Sequence, residues 1–410
     1  MDRLDRRTLF TMAGATAAAT LATPAVATTT PIAAAATAAS AAKAAAPSPV
    51  EPRGRIGQMR RLPSLDLASN QEFLGEVRTL VQAAPDSLMN AARRRSVEIL
   101  REHGYAPETE LPVAKVVELM EKDPTMMASA RAWLATQELM WRGLKEGFDA
   151  NRDAYLSELR AAEKRGPGSL ELQPAMHIPD YARHEIHIQP GGYVGDPLAG
   201  YIYHHGTNYF FMGRNFQDEI QTGIANAAPL PKDRKVRRIL EIGCSCGQTS
   251  VALKRRFPDA EVWAVDVGGP MVHYAHMRAS DLGVAVNFRQ ALAESTGFPD
   301  GHFDMIVSYI LLHEVPNAQN TQIMKEVARM LRGGGTYYAV DFFTSTPAPK
   351  DAYGIFRRWW DHRWNNEPWA LEHMHYDLAG DLESFGMQVN RNGPPSSLGG
   401  KPNLFAVKNA

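Results

Sequence analysis

Cysteine is nearly absent: the chain holds two, Cys244 and Cys246. A disulfide across that spacing would be badly strained, and a C-x-C pair without further cysteines makes a poor zinc site. Both are read as small packing residues in a tight turn. Net charge is equally scarce, −1 over 410 residues, which leaves no general attraction for nucleic acid or anionic lipid. The basic run Lys232, Arg234, Lys235, Arg237, Arg238 is short and reads as a solvated strand entry. The one long stretch without charge, residues 11–42, is too rich in Ala and Thr for a stable membrane span. Also missing is G-x-G-x-x-G after a strand, the glycine pattern that lets backbone embrace a pyrophosphate, so a dinucleotide site is not supported.

What is present begins with Arg6-Arg7-Thr8-Leu9-Phe10 ahead of that uncharged stretch, and Ala25-Val26-Ala27 fits a small-x-small cleavage site. This has the form of a twin-arginine export signal over residues 1–27, implying a periplasmic or exported protein; if the signal is unused, the protein stays cytoplasmic. Residues 28–56 read as an Ala/Pro/Thr-rich disordered linker. Residues 57–168 carry helical periodicity, with apolar stripes at Phe73, Val77, Leu80, Val81, at Val113, Val116, Val117, Met120, and at Trp133, Leu134, Leu139, Met140. They predict four or five helices, forming a lid or a homodimer surface.

Residues 169–230 form an aromatic and histidine-rich segment containing Tyr181, His184, His187, Tyr193, Tyr201, Tyr203, His204, His205, Phe210 and Phe211, broken by glycines. His184-x-x-His187, with Glu185 or Asp196 as the carboxylate, has the parts of a metal site. Aromatic packing over a pocket explains the same residues more simply, and no metal is assigned. The position just before the next domain suits a cover over substrate.

From residue 231 onward strand and helix alternate. Arg238-Ile239-Leu240-Glu241-Ile242 is a short apolar strand, followed by the turn Gly243-Cys244-Ser245-Cys246-Gly247 and a helix from Gln248. A second strand ends at Asp266, a third runs through Asn287-Phe288, a fourth is Phe303–Ser308, and a fifth runs from Thr336 after a helix closed by Gly333-Gly334-Gly335. Such alternation predicts an α/β fold with a doubly wound parallel sheet. Ligands of such sheets bind at the carboxyl ends of the strands, where strand order reverses. Gly243 permits close approach of backbone, the helix start offers free N–H groups, and Asp266 is placed to accept both hydroxyls of a ribose.

At these residues the sequence resembles class I S-adenosylmethionine (SAM) dependent methyltransferases. Leu240–Gly247 looks like their first motif, Phe298–Ser308 like the fourth-strand motif of the ubiquinone/menaquinone-biosynthesis type, and Val327–Gly335 like their helix-to-fifth-strand motif. Phe385–Val389 and Asn403–Lys408 resemble the antiparallel strand pair that ends the fold. The resemblance implies a Rossmann-like methyltransferase sheet with an antiparallel last strand over residues 231–410, preceded by an all-α region. It implies that Glu241, Gly243, Cys244 and Gly247 line the methionine part of SAM and that Asp266 holds the ribose. Val267 and Met271 would lie near the adenine, Ala293-Glu294 at its edge, and Ser308 would complete the set. The chain departs from the family at Ser245, where a glycine is usual, and at Ala291-Leu292, where an acid is usual; Gln290 or Glu294 is the substitute.

Methyl transfer requires a base only if the acceptor must lose a proton. His313, in Leu311-Leu312-His313-Glu314 after the fourth strand, is the first candidate, with Asp341 at the end of the fifth strand as the second. A Trp-rich insertion holds Trp359, Trp360, Trp364 and Trp369, which read as a helix packed on the helical region or as a flat pocket wall. The expected activity is methylation of a small, aromatic or apolar acceptor; a protein methyltransferase and a non-catalytic SAM-binding protein are the alternatives.

Overall fold

In the computed structural model, which describes residues 54–344, 348–395 and 402–409, seven strands from the second half of the chain and one short strand ahead of them form an eight-stranded sheet. The signal-like residues 1–27, and the linker up to residue 53, lie outside the described residues. The end of the expected linker is ordered as β1 (Arg55–Ile56), paired antiparallel with β2 (Met59–Arg60).

Five helices follow: α1 (Leu65–Gln82), α2 (Leu88–Glu102), α3 (Val113–Met120), α4 (Pro124–Asp149) and α5 (Arg152–Ala162). Their starts are written locally. Ser64 accepts from the Leu67 N–H, Ser87 from Asn90, and Asp123 from Thr125 and Met126, with Pro124 in the first turn of α4. The stripe expected on α1 is corrected: Phe73 and Leu80 are exposed, at 66% and 65%. The buried face instead runs through Leu67, Gln71, Gly75, Arg78 and Val81. The reason is Arg78, whose guanidinium lies 4.1 Å from the Trp133 ring and 5.2 Å from the Phe210 ring, so a cation takes an inward position that an apolar count gives to Leu80. On α4, Leu139 likewise faces out while Trp133, Leu134 and Met140 are buried.

The strand β3 (Leu170–Glu171), the helices α6 (Ala199–Phe210) and α7 (Glu219–Ala227) and the loops between them lead to the sheet. Its core is β4 (Arg238–Ile242), α8 (Gln248–Arg256), β5 (Glu261–Asp266), α9 (Gly269–Asp281), β6 (Asn287–Gln290), β7 (Phe303–Tyr309), α10 (Asn317–Met330) and β8 (Leu331–Val340). Then come α11 (Ala352–Trp364), α12 (Ala370–His373), α13 (Leu378–Ser384), β9 (Met387–Gly393) and β10 (Asn403–Lys408). The order is β3-β6-β5-β4-β7-β8-β10-β9, parallel through β8, with β10 antiparallel to β8 and β9 antiparallel to β10. Strand order reverses between β4 and β7. The fifth core strand starts earlier than expected, at Leu331, because Gly333–Gly335 sit inside it rather than end the helix.

Alternate residues of each strand face opposite sides. Leu240, Ile242, Val265, Ile306, Tyr337 and Leu404 pack under α10 and α13. Ile239, Val262, Ala264, Met305, Val307 and Tyr338 pack under α7, α8 and α9. Both faces are therefore buried, which is why these strands read as nearly continuous apolar runs. A third cluster joins the helical region to the sheet through Trp141, Tyr155, Tyr201, Cys246 and Tyr274. A fourth joins α2, α3 and α4 to α11: Trp360 meets Trp133 edge-on at 5.1 Å, with Arg357 over both rings.

Candidate active site

A cleft opens at the carboxyl ends of β4, β5 and β7, beside the point where strand order reverses. About 1280 Å³ of space lies between its walls, open solvent at the mouth included. Its floor is the turn after β4. Gly243 (φ 68°) and Gly247 (φ 73°) take left-handed conformations there, as does Ser245 (φ 50°). A Cβ on Gly243 would come within 2.8 Å of Leu311, and one on Gly247 within 2.8 Å of Phe288. The first glycine keeps the cleft open; the second lets α8 pack on the sheet. The turn is pinned to the neighbouring strand by Cys244 N–H donating to Val265 O (3.0 Å) and Ser245 N–H donating to Asp266 Oδ2 (2.8 Å). Gly268 N–H donates to the other carboxylate oxygen, Oδ1, at 2.8 Å. Asp266 thus faces the cleft with both oxygens fixed, though burial raises its carboxyl.

Of the residues expected around a cofactor, Glu241, Gly243, Cys244, Asp266, Val267, Ala293 and Glu294 line this cleft. Gly247, Met271 and Ser308 are not on its wall. Gly247 faces Phe288 and Ala275, Met271 is wholly buried, and the Ser308 hydroxyl is 2.7 Å from Tyr337 Oη inside the sheet core. Glu241 is engaged differently from expectation: it accepts from Ser250 at the start of α8, and burial lifts its carboxyl to about 8 against that hydrogen bond and one from Thr249. Gln290 is tied to Gln173 N–H and Val267 O, so it is not free for an adenine edge. Glu294 is held by the Tyr181 hydroxyl at 2.5 Å, which fastens the cover to the wall of the cleft. Both cysteines are free and buried, and burial pushes both thiols up, Cys246 to about 12.

The cover is the aromatic segment. Tyr181, Ile186, His187, Tyr193, Tyr203, Phe210 and Phe211 line the cleft. Tyr201, His204 and His205 do not: His204 Nδ1 lies 2.8 Å from Tyr274 Oη in the packing between α6 and α9. None of the four tryptophans of the insertion lines the cleft either; Trp359 and Trp360 pack on the helical region, while Trp364 is exposed.

His313 and Asp341 stand one layer behind the wall. His313 is 2% exposed; its Nδ1 is 2.6 Å from Asp341 Oδ1 and its Nε2 is 3.3 Å from Glu314 Oε1. The residues that reach the cleft are Glu314 and His187. His187 Nε2 is 3.0 Å from the same Glu314 Oε1, and His187 Nδ1 is 3.1 Å from Glu367 Oε1. Burial draws the His187 imidazolium down, but Glu314 and then Glu367 outweigh it and lift it to about 10. The carboxylates that the sequence offers His187 stand elsewhere: Glu185 accepts from Gly191 N–H, and Asp196 is paired with Lys145 and Arg152. Sequence reasoning missed Glu314 and Glu367. The first stood beside His313 in plain view, but nothing local marks the second, which arrives just after α11.

The profile of the methyltransferase domain family matches residues 239–335. The chain is 32% identical over 132 residues to a demethylmenaquinone methyltransferase of Thermus thermophilus, covering 32% of this chain and 58% of that protein. It is 34% identical over 119 residues to an uncharacterized methyltransferase, YcgJ, of Bacillus subtilis, covering 29% of this chain and 44% of that one. The chain thus spans about half the length of these relatives. The crystal structure of the Bacillus YcgJ protein aligns over 46% of this chain and 98% of its own, at 21% identity and a TM-score of 0.31.

Proposed function

We propose that this chain is a SAM-dependent methyltransferase acting on a small, aromatic or apolar acceptor. The observation that carries it is the Gly243 turn and Asp266 opening together onto one cleft at the ends of two adjacent parallel strands. Each Asp266 oxygen uses one backbone N–H and keeps further acceptor capacity toward the cleft, the acceptor set that the two hydroxyls of a ribose need. Gly243 and Cys244 would border the methionine part, Val267 and Ala293 the adenine. When bound, that cofactor supplies an electrophilic methyl group on a sulfonium centre.

The chain's own work is alignment and exclusion of water, worth up to about 7–11 kcal/mol when geometry is ideal. The aromatic cover supports an apolar acceptor. An acceptor that must shed a proton meets Glu314 and His187, the cleft-facing members of the chain of ionisable groups running back to His313 and Asp341. A cover of this kind disfavours a protein substrate, which needs an open groove.

Calorimetric titration with SAM and with S-adenosylhomocysteine tests the reading; binding of neither overturns it. Incubation of cell extract with methyl-labelled SAM, followed by separation of protein from metabolites, assigns the acceptor class: label in the metabolite fraction is expected. Export remains a separate proposal, carried by Arg6-Arg7. Cell fractionation of the full chain beside an Arg6→Lys, Arg7→Lys variant tests it, and an unchanged distribution removes it.

A further inference from the structure

We propose that His187, His313 and Glu314 form a binding site for a divalent first-row transition metal ion, with its open coordination positions facing the cleft. The ligand atoms are His187 Nε2, His313 Nε2 and the Glu314 carboxylate, all within 4.8 Å of one another. Glu314 Oε1 lies 3.0 Å from one nitrogen and 3.3 Å from the other. An ion bound at about 2.0–2.2 Å to each ligand requires ligand–ligand separations of about 2.8–3.5 Å, so the carboxylate oxygen stands at coordination spacing from both nitrogens. Two imidazoles and one carboxylate on one side of an ion leave the other side open, the pattern of catalytic zinc and non-haem iron sites.

The surroundings of the two rings carry the argument further. Ligating histidines nearly always donate the other ring N–H to a carboxylate, carbonyl or water, which fixes the tautomer and aims the lone pair. Both rings here have that partner: His313 Nδ1 is 2.6 Å from Asp341, and His187 Nδ1 is 3.1 Å from Glu367. Asp341 is itself held, accepting from Leu312 N–H at 2.6 Å and Phe342 N–H at 2.7 Å. Glu367 accepts from Asn365 Nδ2 at 2.6 Å, and Asn365 is braced by Gln137 at 2.9 Å. An arrangement that needs only a hydrogen bond between a histidine and a glutamate does not require two such supporting carboxylates converging from different elements.

Two further observations point the same way. Glu314 Oε2 is buried, without a hydrogen-bond partner, in the wall of a cleft; a carboxylate oxygen left so is costly unless something binds it. His187 adopts a left-handed backbone (φ 55°, ψ 26°), with its carbonyl gripped by Gln137 Nε2 at 3.0 Å and Trp141 Nε1 at 2.8 Å. Such a conformation persists where the surroundings enforce it. The ring of the residue so held reaches Glu314 at 3.0 Å.

The site stands on its own geometry and does not require the methyl-transfer reading. The test is titration of the chelator-treated full-length protein with Co²⁺, read by visible d–d absorption and by calorimetry, with Zn²⁺ competition. One equivalent of Co²⁺ is expected, displaced by Zn²⁺. His313→Ala and Glu314→Gln should each weaken binding at least 10-fold, Asp341→Asn by about 10–100-fold through the supporting shell, and the surface variant His375→Ala not at all. Circular dichroism and melting curves identify any variant that does not fold; the wild-type stoichiometry stands regardless. Absence of stoichiometric Co²⁺ or Zn²⁺ binding by the wild-type protein overturns the proposal, as does binding that survives both ligand substitutions. Either failure leaves SAM titration unaffected, so the two readings fall separately.

Discussion

Asp266, the last residue of β5, accepts the backbone N–H of Ser245 in the turn that leaves β4, at 2.8 Å. One carboxylate thereby sets the shape of the floor it shares with the ligand. Asp266→Ala removes the ribose acceptor and the turn's anchor together. Hydrogen bonds to a charged group contribute about 1.5–3 kcal/mol each. Two lost ribose bonds should weaken SAM binding on the order of 100-fold or more by calorimetry. Unchanged affinity would refute the assignment of the ribose site.

Gly247→Ala should destabilise the fold by about 2–4 kcal/mol, combining left-handed strain with overpacking against Phe288 and Ala275. Gly283→Ala serves as the comparison: its φ is +67° but nothing lies within 4 Å of the added carbon, so strain acts alone there. Denaturant unfolding of the two variants measures the difference; equal losses would mean that the helix–sheet approach at Gly247 is not tight.

Glu241 gives a pH signature. Its carboxyl is lifted to about 8 in the fold, chiefly by burial, against 4.5 ordinarily. The native state therefore holds a proton that the unfolded chain has already lost between those values. That contribution is whole below pH 4.5 and disappears as pH rises through 8. Glu241→Gln cannot titrate, so its stability minus that of wild type should grow across this window, by on the order of 3–5 kcal/mol. Parallel melting curves from pH 5 to 9 check it; parallel lines would show that Glu241 is charged in the fold.

Trp360→Ala should cost about 3–5 kcal/mol of stability, as expected for a large buried ring, yet leave SAM affinity within twofold. A drop in affinity without a drop in stability would return the tryptophans to the ligand site.

The parts legible in the sequence are those written over short stretches. A five-residue apolar strand, a glycine at its end and an acid closing the next strand are each local, and the parallel order follows from their alternation with helices. What escaped was non-local or ran against apolar counting. Arg78 and Gln71 occupy the inward face of α1, so Phe73 and Leu80 misled. Gly333–Gly335 have the composition of a helix stop but lie inside β8. Gln290 and Glu241 are acceptors that the fold spends on its own donors, Gln173 and Ser250. The cluster behind the cleft joins His187, the His313-Glu314 pair and Glu367 from three separate segments. His313 and Asp341 are legible as candidates, though not as a pair, and His187 is legible only with Glu185 or Asp196 as its carboxylate, which stand elsewhere.

The packing of α11 on α2, α3 and α4 carries a consequence for biosynthesis. Val81, Ile99, Val116 and Trp133 find part of their cover in Ala352, Ile355, Phe356 and Trp360. A nascent chain that has threaded its early helices out of the ribosome must therefore wait for more than two hundred further residues before that surface can close, a long sequence separation of the kind that slows folding and leaves sticky surface bare. Helices made first are finished last, so a chaperone that holds apolar surface should find its longest-lived target on this protein in the oldest part of the chain.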